Sequence, residues 1–272
     1  MRNPLYICFR YSIIPAPRSL LYEPKDDREK KLLFQQSFLE NKDHVVSGCE
    51  YAIRIRNYFG NFYYGKLSKR VTVEHFDKTP IDITESEQDS WPFIEFLCNT
   101  DKQAIVFKLD TTIFPRIQKL KFTLNNIASS LLFPYGYTVN FDPILEKTTF
   151  WKIIKQSDKI YSVRFNLEAP NMLNGAAKAS ELMHHMKHVY NITHTSIGLT
   201  NSSGELNVTE ENVETFRDYA DKGAGSWSVT SEINGKRQTT RSVENARKVP
   251  INKTEDTNEM LDSAYNKFEK HL

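Results

Sequence analysis

Two runs of β-forming residues flank an Asn-Gly dipeptide near the end of the chain, and this pattern predicts a β-hairpin. The first run covers residues 225–233 and the second covers residues 236–243. Asn234 and Gly235 suit a two-residue type I′ turn, because both central positions of that turn need a positive φ angle. The Ser, Thr and Val residues of the two runs suit a pleated and half-exposed backbone.

The second strand of this hairpin and the segment after it are basic. Residues 236–253 contain a single acid, Glu244, and six cations: Lys236, Arg237, Arg241, Arg247, Lys248 and Lys253. Lys and Arg side chains that contact a phosphate backbone release condensed counterions, so such a segment can bind a polyanion. The alternative is a solvated edge hairpin whose cations prevent aggregation between sheet edges.

The chain as a whole is close to neutral. Its 272 residues carry a net charge of +2, with 36 Lys and Arg against 34 Asp and Glu. A chain-wide basic field is therefore excluded, and any contact with nucleic acid must depend on local charge. An apolar content of 39% is typical of a packed globular protein.

Cysteine use and the N-terminal sequence indicate a cytoplasmic protein. Cys8, Cys49 and Cys98 are an odd number and lie far apart, so they predict neither a disulfide framework nor a zinc site. The apolar run at residues 5–9 is short and is bounded by arginines, which is typical of a strand and not of a signal peptide. No apolar stretch approaches the length needed to span a bilayer.

Hydrophobic periodicity predicts an α+β fold with mixed or antiparallel sheets. Before residue 111 the chain consists mainly of hairpins with alternating apolar residues, and after it strands alternate with longer helical patterns. We therefore predict a hairpin-rich N-terminal domain at residues 1–110. An α+β C-terminal domain at residues 111–272 is predicted to contain the basic hairpin and a terminal helix. The polar segment at residues 77–90 predicts a loop.

No residue pattern predicts a catalytic site, a metal site or a cofactor. His184 and His188 would share one face of a helix, as zinc ligands do, but the catalytic Glu of the His-Glu-x-x-His motif is missing. An enzyme is still an open alternative. It would be a metal-dependent nuclease assembled from carboxylates such as Asp110, Asp142 and Glu168.

Further cations lie on predicted strands and on one predicted helix outside the hairpin. They are Arg54, Arg56, Lys69, Arg70, Lys119 and Lys121. If the fold brings them to the hairpin, they form a continuous basic surface. Tyr58, Phe59, Tyr63 and Trp227 could stack on single-stranded bases, and packing in the core or at its rim is the alternative role.

Several strand segments follow one another in an order that is shared with a known family. They are Leu5-Tyr6-Ile7, Tyr51-Ala52-Ile53-Arg54, Phe62-Tyr63-Tyr64-Gly65, Trp91 to Leu97, Val163 to Leu167, Thr195 to Leu199 and Ser203-Gly204-Glu205-Leu206. In this order the chain resembles the RexA family of phage exclusion proteins over most of its length. The resemblance implies a cytoplasmic DNA-binding protein that dimerises and takes part in phage defence, in some systems beside a membrane-bound protein. It supplies no catalytic residue.

Local charge and this resemblance together predict a sequence-tolerant nucleic-acid-binding protein of a bacterial anti-phage system, with DNA favoured over RNA. The contacts are predicted first at Lys236, Arg237, Arg241, Arg247 and Lys248, and second at Arg54 and Arg56. We expect a homo-oligomer without a cofactor. Two alternatives stay open: the metal-dependent nuclease, and a non-enzymatic scaffold or regulatory subunit that packs its terminal helix and aromatic hairpins on another protein.

Overall fold

The computed structural model is an α+β fold whose strand ladders are antiparallel. It describes residues 3–16, 25–78, 80–168 and 192–272, and also residues 183, 185, 186, 189 and 190. The strands are β1 (Leu5–Pro15), β2 (Lys42–Val46), β3 (Cys49–Phe59), β4 (Phe62–Lys69), β5 (Val71–Lys78), β6 (Ile83–Ser90), β7 (Phe93–Asn99), β8 (Ala104–Lys108), β9 (Tyr137–Pro143), β10 (Lys159–Glu168), β11 (His194–Thr200), β12 (Gly225–Ile233), β13 (Lys236–Arg241) and β14 (Lys248–Pro250). The longer helices are α1 (Asp27–Ser37), α2 (Ile117–Leu132), α3 (Lys147–Gln156), α4 (Glu210–Tyr219) and α5 (Thr257–Glu269). The fold class predicted from periodicity is therefore confirmed.

An eight-stranded sheet, the large sheet, forms the main layer. Its strand order is β14-β1-β8-β7-β4-β3-β2, and β9 also pairs with β1. Alternate side chains of β1 enter two different cores, with Tyr6 and Cys8 on one face and Ile7 and Phe9 on the other. A strand that is covered on both faces has a continuous apolar sequence, which accounts for the apolar run at residues 5–9.

Helices cover both faces of the large sheet. The apolar stripe of α2 packs on the Ile7 side through residues at helical spacing: Leu120, Leu124, Ile127 and Ala128. The stripe of α5 packs on the Tyr6 side through Met260, Leu261, Ala264, Tyr265 and Phe268. None of the helices in the described part of the chain is long and apolar enough to cross a membrane.

A four-stranded sheet, the small sheet, has the order β11-β10-β12-β13. Its inner face is apolar because every second side chain of β10 and β12 is buried: Val163, Phe165, Leu167, Trp227 and Val229. Phe150 of α3 and Val213 of α4 belong to the same core. The rings of Phe150 and Trp227 meet edge to face, with their centroids 5.1 Å apart.

The basic hairpin predicted from Asn234 and Gly235 is present as β12 and β13. Asn234 has a φ angle of 51° and Gly235 one of 72°. These positive values at both central positions are what a type I′ turn needs. The register places Glu232 opposite Arg237 and Ser228 opposite Arg241.

The loop predicted at residues 77–90 is wrong, because this segment contains β6. The strand pairs with β5 to form a two-stranded ribbon in which nearly all side chains are exposed. A strand without a buried face shows no alternation of apolar and polar residues. The polar sequence of β6 therefore carries no periodic signal that separates it from a loop.

The chain changes sheet near residue 159 and not at the predicted domain boundary of residue 110. The large sheet takes β9 and β14 from the predicted C-terminal domain, and α2 and α5 pack on it. The small sheet occupies only residues 159–241. A cut at residue 110 would therefore separate strands of one sheet, and the division into two folding units stays a prediction.

Phe34→Ala is expected to lower the free energy of unfolding by about 3–5 kcal/mol, because it removes a buried ring and leaves a cavity. Phe34 is fully buried and stacks on Tyr11, with 4.1 Å between the ring centroids. Chemical denaturation measures the loss. Phe59→Ala is the matched control, since Phe59 is 81% exposed. Equal losses in the two variants would contradict the packing described.

Candidate nucleic-acid interface

The outer face of the small sheet is polar on all four strands. The side chains that point away from the core alternate with the buried ones and comprise Ser162, Arg164 and Asn166 on β10, Ser196 and Thr200 on β11, Ser226, Ser228 and Thr230 on β12, and Thr239 and Arg241 on β13. Gly198 completes the set on β11. The centre of this face thus presents hydroxyl and amide groups and two arginines, and the same alternation continues to Glu168 and His194 at one end and to Glu232 and Arg237 at the other.

These two arginines lie in one row across the sheet. The strand register places Arg164 opposite Ser228 and Ser228 opposite Arg241. Because neighbouring strands are about 4.8 Å apart, the backbones at the two arginines are separated by about 10 Å. Gly198 is the neighbour of Arg164 on the other side, and the space above it is open. An anion that lies over Ser228 can therefore be reached by both guanidinium groups.

The hydroxyl and amide groups around this row hydrogen-bond one another. The Thr230 and Thr239 hydroxyl oxygens are 2.9 Å apart, and the Ser196 hydroxyl donates to the Asn166 amide oxygen over the same distance. Among the described residues, neither Arg164 nor Arg241 makes an ion pair. Their charges are available to a ligand.

A groove of about 660 Å³ lies between this polar face and helix α2. The helix contributes Gln118, Lys121, Phe122 and Asn125, whose spacing places them on one side of the helix. No acid from the described part of the chain lines the groove. A second cavity of about 530 Å³ shares Gln118 and Arg241 with it. That cavity adds further charged residues: Arg116, Lys248 and Glu244.

Some of the predicted cations meet at this groove. Arg241 and Lys121 line it, and Lys248 lines the adjoining cavity. Lys119 lies on α2 beside it, with its ammonium group 5.2 Å from the centroid of the Phe122 ring. Arg237 shares the face of Arg241 farther along β13, and its guanidinium group lies 4.0 Å from the centroid of the Tyr161 ring.

Two other hairpin cations face elsewhere. Lys236 is opposite Ile233, one residue out of phase with Arg237, so it lies on the other face of the small sheet. Arg247 lines a separate cavity against α5, where Glu259 and Asp262 are also found. The structure therefore does not gather the whole basic segment into one contact surface.

The predicted cations of the large sheet lie away from the groove, and three of the four are paired with acids. Arg54 pairs with Asp43, and Arg56 with Glu95. Arg70 pairs with both Glu50 and Asp89. Lys69 ends β4 in the same sheet. These four cations line neither cavity beside Arg241, and the continuous basic surface expected from the sequence stays a prediction.

The aromatic residues proposed for stacking do not meet at the groove either. Tyr58 and Tyr63 stack on each other on β3 and β4, with 5.8 Å between their ring centroids, and Phe59 is exposed next to them. Trp227 lies at the base of the groove, but its side chain is buried in the core. The exposed aromatic side chain of the groove is Phe122.

Two of the three carboxylates proposed for a nuclease lie close together. The Asn140 amide nitrogen donates to Asp142 over 2.7 Å and to Glu168 over 3.0 Å. Burial first, and then the charge of Asp142, raise the pKa of Glu168 to about 7. Lys121 forms an ion pair with Asp142. This arrangement connects β9, β10 and α2.

Asp110 does not join this pair, because its carboxylate accepts from the Thr112 backbone nitrogen and hydroxyl. Across the described residues, no group of three or more Asp, Glu, His or Cys side chains is placed to hold a metal ion. His184 and His188 lie outside the described residues.

Arg164 is the residue of the interface that the charge count of the sequence missed. It lies outside the basic segment, in the run Ser162-Val163-Arg164-Phe165-Asn166. The alternation of this run predicts that Arg164 shares a polar face with Ser162 and Asn166. Residues 226–230 show the same alternation of polar and apolar side chains. Pairing of these two strands would therefore place their polar faces side by side.

Glu168→Gln is expected to remove the loss in free energy of unfolding that ionisation of Glu168 causes as the pH rises. Because the pKa of Glu168 is raised from 4.5 to about 7 in the folded chain, the folded chain binds the proton more tightly than the unfolded chain. The free energy of unfolding therefore falls between about pH 4.5 and pH 7 and stays low above that range. The variant should exceed the wild type by roughly 1–3 kcal/mol at pH 8 and match it near pH 5.

Urea denaturation of both proteins at pH 5 and pH 8 measures this difference. Glu85→Gln on the exposed ribbon of β5 and β6 is the matched control and should show no such change with pH. A stability difference for Glu168→Gln that is the same at both pH values would contradict the expectation.

Comparison with known proteins finds a family model that matches most of the chain. A search of curated proteins finds no match. Residues 23–269 match the family described as Domain of unknown function (DUF4747). This match covers far more than half of the chain. The chain therefore belongs to the DUF4747 family.

Proposed function

We propose that this protein binds nucleic acid in a sequence-tolerant way, through contacts between its arginines and backbone phosphates. The observation that carries the proposal is the row Arg164, Ser228 and Arg241 on the outer face of the small sheet. Two arginines whose backbones are about 10 Å apart, with a hydroxyl group between them, suit one phosphate or two successive phosphates. Guanidinium groups bind phosphate oxygens in a bidentate manner, which adds orientation to charge.

The composition of the polar face supports backbone contacts over base readout. Its rows contain small hydroxyl and amide side chains and no stacked aromatic pair, whereas RNA-recognition sheets stack two or three bases on aromatic side chains. Ser, Thr, Asn and Arg side chains commonly contact phosphate and sugar, which position a nucleic acid without reading its sequence. DNA is favoured over RNA only by the resemblance to the exclusion proteins.

The charge balance around the row also supports the proposal. No acid of the described residues lines the groove, Asp142 is paired with Lys121, and Glu244 lines the adjoining cavity. Arg54, Arg56 and Arg70 would offer less to a phosphate, since binding it would first break their ion pairs. We therefore place the contacts at Arg164, Arg241 and Lys248, with Arg237 farther along the same face.

We also propose that the binding serves bacterial phage defence and that the protein works as a homo-oligomer. Both statements depend on the resemblance to the exclusion proteins alone. The proposed defence role has a direct test: deletion of the gene should raise the plating efficiency of a phage that the host otherwise restricts.

The variant Arg164→Ala with Arg241→Ala is expected to weaken nucleic-acid binding and to make it less sensitive to salt. Each lost phosphate contact lowers the slope of log K against log[salt] by about one unit, so the double variant should lose about two units. Fluorescence anisotropy with a labelled oligonucleotide between about 50 and 300 mM salt, a range over which the Debye length falls by more than half, measures the slope.

The matched control is Arg54→Ala with Arg70→Ala, which removes two exposed arginines that are paired with acids on the large sheet. This control should keep the wild-type slope. Equal slopes for all three proteins would remove the row from the interface. A wild-type protein that binds no nucleic acid at low salt, yet keeps a protein partner at high salt, would favour the scaffold alternative.

A metal-dependent nuclease is a second candidate because Asn140 brings Asp142 and Glu168 together. A third ligand would have to come from the substrate or from water, which is usual for Mg²⁺. Cleavage that depends on Mg²⁺ and is lost in Asp142→Asn would favour it. Binding without cleavage would favour the phosphate-binding function.

A further inference from the structure

We infer that the groove between α2 and the small sheet takes a single strand of nucleic acid, with one base stacked on Phe122. This inference rests on the proposed function and adds the class of ligand. The polar face is not an open platform at its centre, because α2 runs beside it and supplies one wall. A ligand must therefore enter between a helix and a sheet.

The size of the groove suits a strand and not a duplex. Its volume of about 660 Å³ is that of a small-molecule pocket. A B-form duplex is a broad cylinder whose major groove alone is about 12 Å wide, so it would rest on the rim and leave the interior unfilled. An unpaired strand can place its phosphates and one or two bases inside.

Phe122 gives the helical wall a surface on which a base can stack. Its side chain is 44% exposed and lines the groove, although α2 buries most of its large apolar residues in the core. Stacking of this kind tolerates any base, because every base has a π face. In a duplex the bases are already stacked on each other and present only their edges.

The remaining groups of the groove suit a strand whose bases are unpaired. Gln118 on the helix and Asn166 on the sheet each carry an amide that can donate and accept hydrogen bonds, whereas the Asn125 amide is held by Asn140 and the Phe141 backbone nitrogen. Amides on both walls can follow whichever base edge is presented, and this allows contact without a fixed sequence. The two arginines of the row supply the charge for the strand's phosphates.

The test compares a labelled single strand with the duplex of the same sequence, using fluorescence anisotropy at low salt. Single-stranded DNA and RNA should bind more tightly than the duplex. Phe122→Ala should weaken single-strand binding by about 5- to 150-fold, the range found for the loss of one stacking partner. It should change duplex binding little. Arg164→Ala should weaken single-strand binding and flatten its salt dependence.

Phe133→Ala is the matched control. Phe133 is an exposed Phe just beyond the C-terminal end of α2 and does not line this groove. The control should bind single strands like the wild type, and circular dichroism of both variants should match the wild-type spectrum. Equal losses in the two Phe variants, or no loss in Phe122→Ala, would overturn the stacking inference.

The remaining outcomes separate this inference from the proposed function. Duplex binding that is tighter than single-strand binding and is weakened by Arg164→Ala would overturn the single-strand inference alone. A protein that binds neither form would overturn both. Tighter binding of the single strand than of the duplex, together with weaker single-strand binding by Phe122→Ala, would support both. The affinities for single-stranded DNA and single-stranded RNA would then show which nucleic acid is preferred.

Discussion

The separation of the two faces of the small sheet depends on Trp227, whose side chain fixes the inner face in the core. Its indole nitrogen donates to Asp221 over 3.1 Å, and Asp221 is held in turn by a buried ion pair with Arg217. The Trp227 backbone nitrogen donates to the Ser242 hydroxyl. These bonds determine which side of β12 faces the core. Because side chains alternate, they also determine that Ser226, Ser228 and Thr230 face outward.

Pairing with acids, and not the number of cations, distinguishes the surfaces of this protein. The large sheet carries the exposed arginines Arg54 and Arg56, and Arg70 follows β4, but Asp43, Glu95, Glu50 and Asp89 pair with these three. Exposed ion pairs of this kind add little stability, yet each one cancels the local field that would attract a polyanion. A net charge of +2 is therefore compatible with a local anion site, provided that a few guanidinium groups have no acidic partner.

The elements with strong local signals could be predicted from the sequence. Asn234 and Gly235 gave the hairpin, and the apolar spacing of Leu120, Leu124 and Ile127 gave α2. The ribbon of β5 and β6 could not be predicted in full, because a strand exposed on both faces lacks periodicity. The sheet shared by β1, β9 and β14 depends on contacts between distant parts of the chain, which no local pattern encodes.

The candidate site was only half predictable for a related reason. Arg241 lies in a basic segment that a charge count detects. Arg164 is a single cation in a run of alternating polar and apolar residues. Its importance comes from the register that places it two strands from Arg241. A count along the chain finds clusters in sequence, and it misses a pair that the fold forms from residues 77 positions apart.

The polar cluster of Asp142, Asn140, Glu168 and Lys121 connects the helical wall of the groove to both sheets. It joins β9 of the large sheet to β10 of the small sheet, and Lys121 ties α2 to the same point. Buried charged groups seldom add net stability, because desolvation offsets their attraction, but they fix the relative position of the elements that carry them. We interpret the cluster as the contact that holds α2 at its distance from the polar face. The width of the groove then depends on Asp142, Asn140 and Glu168, which do not line it, and the arginine row depends on the strand register of the small sheet.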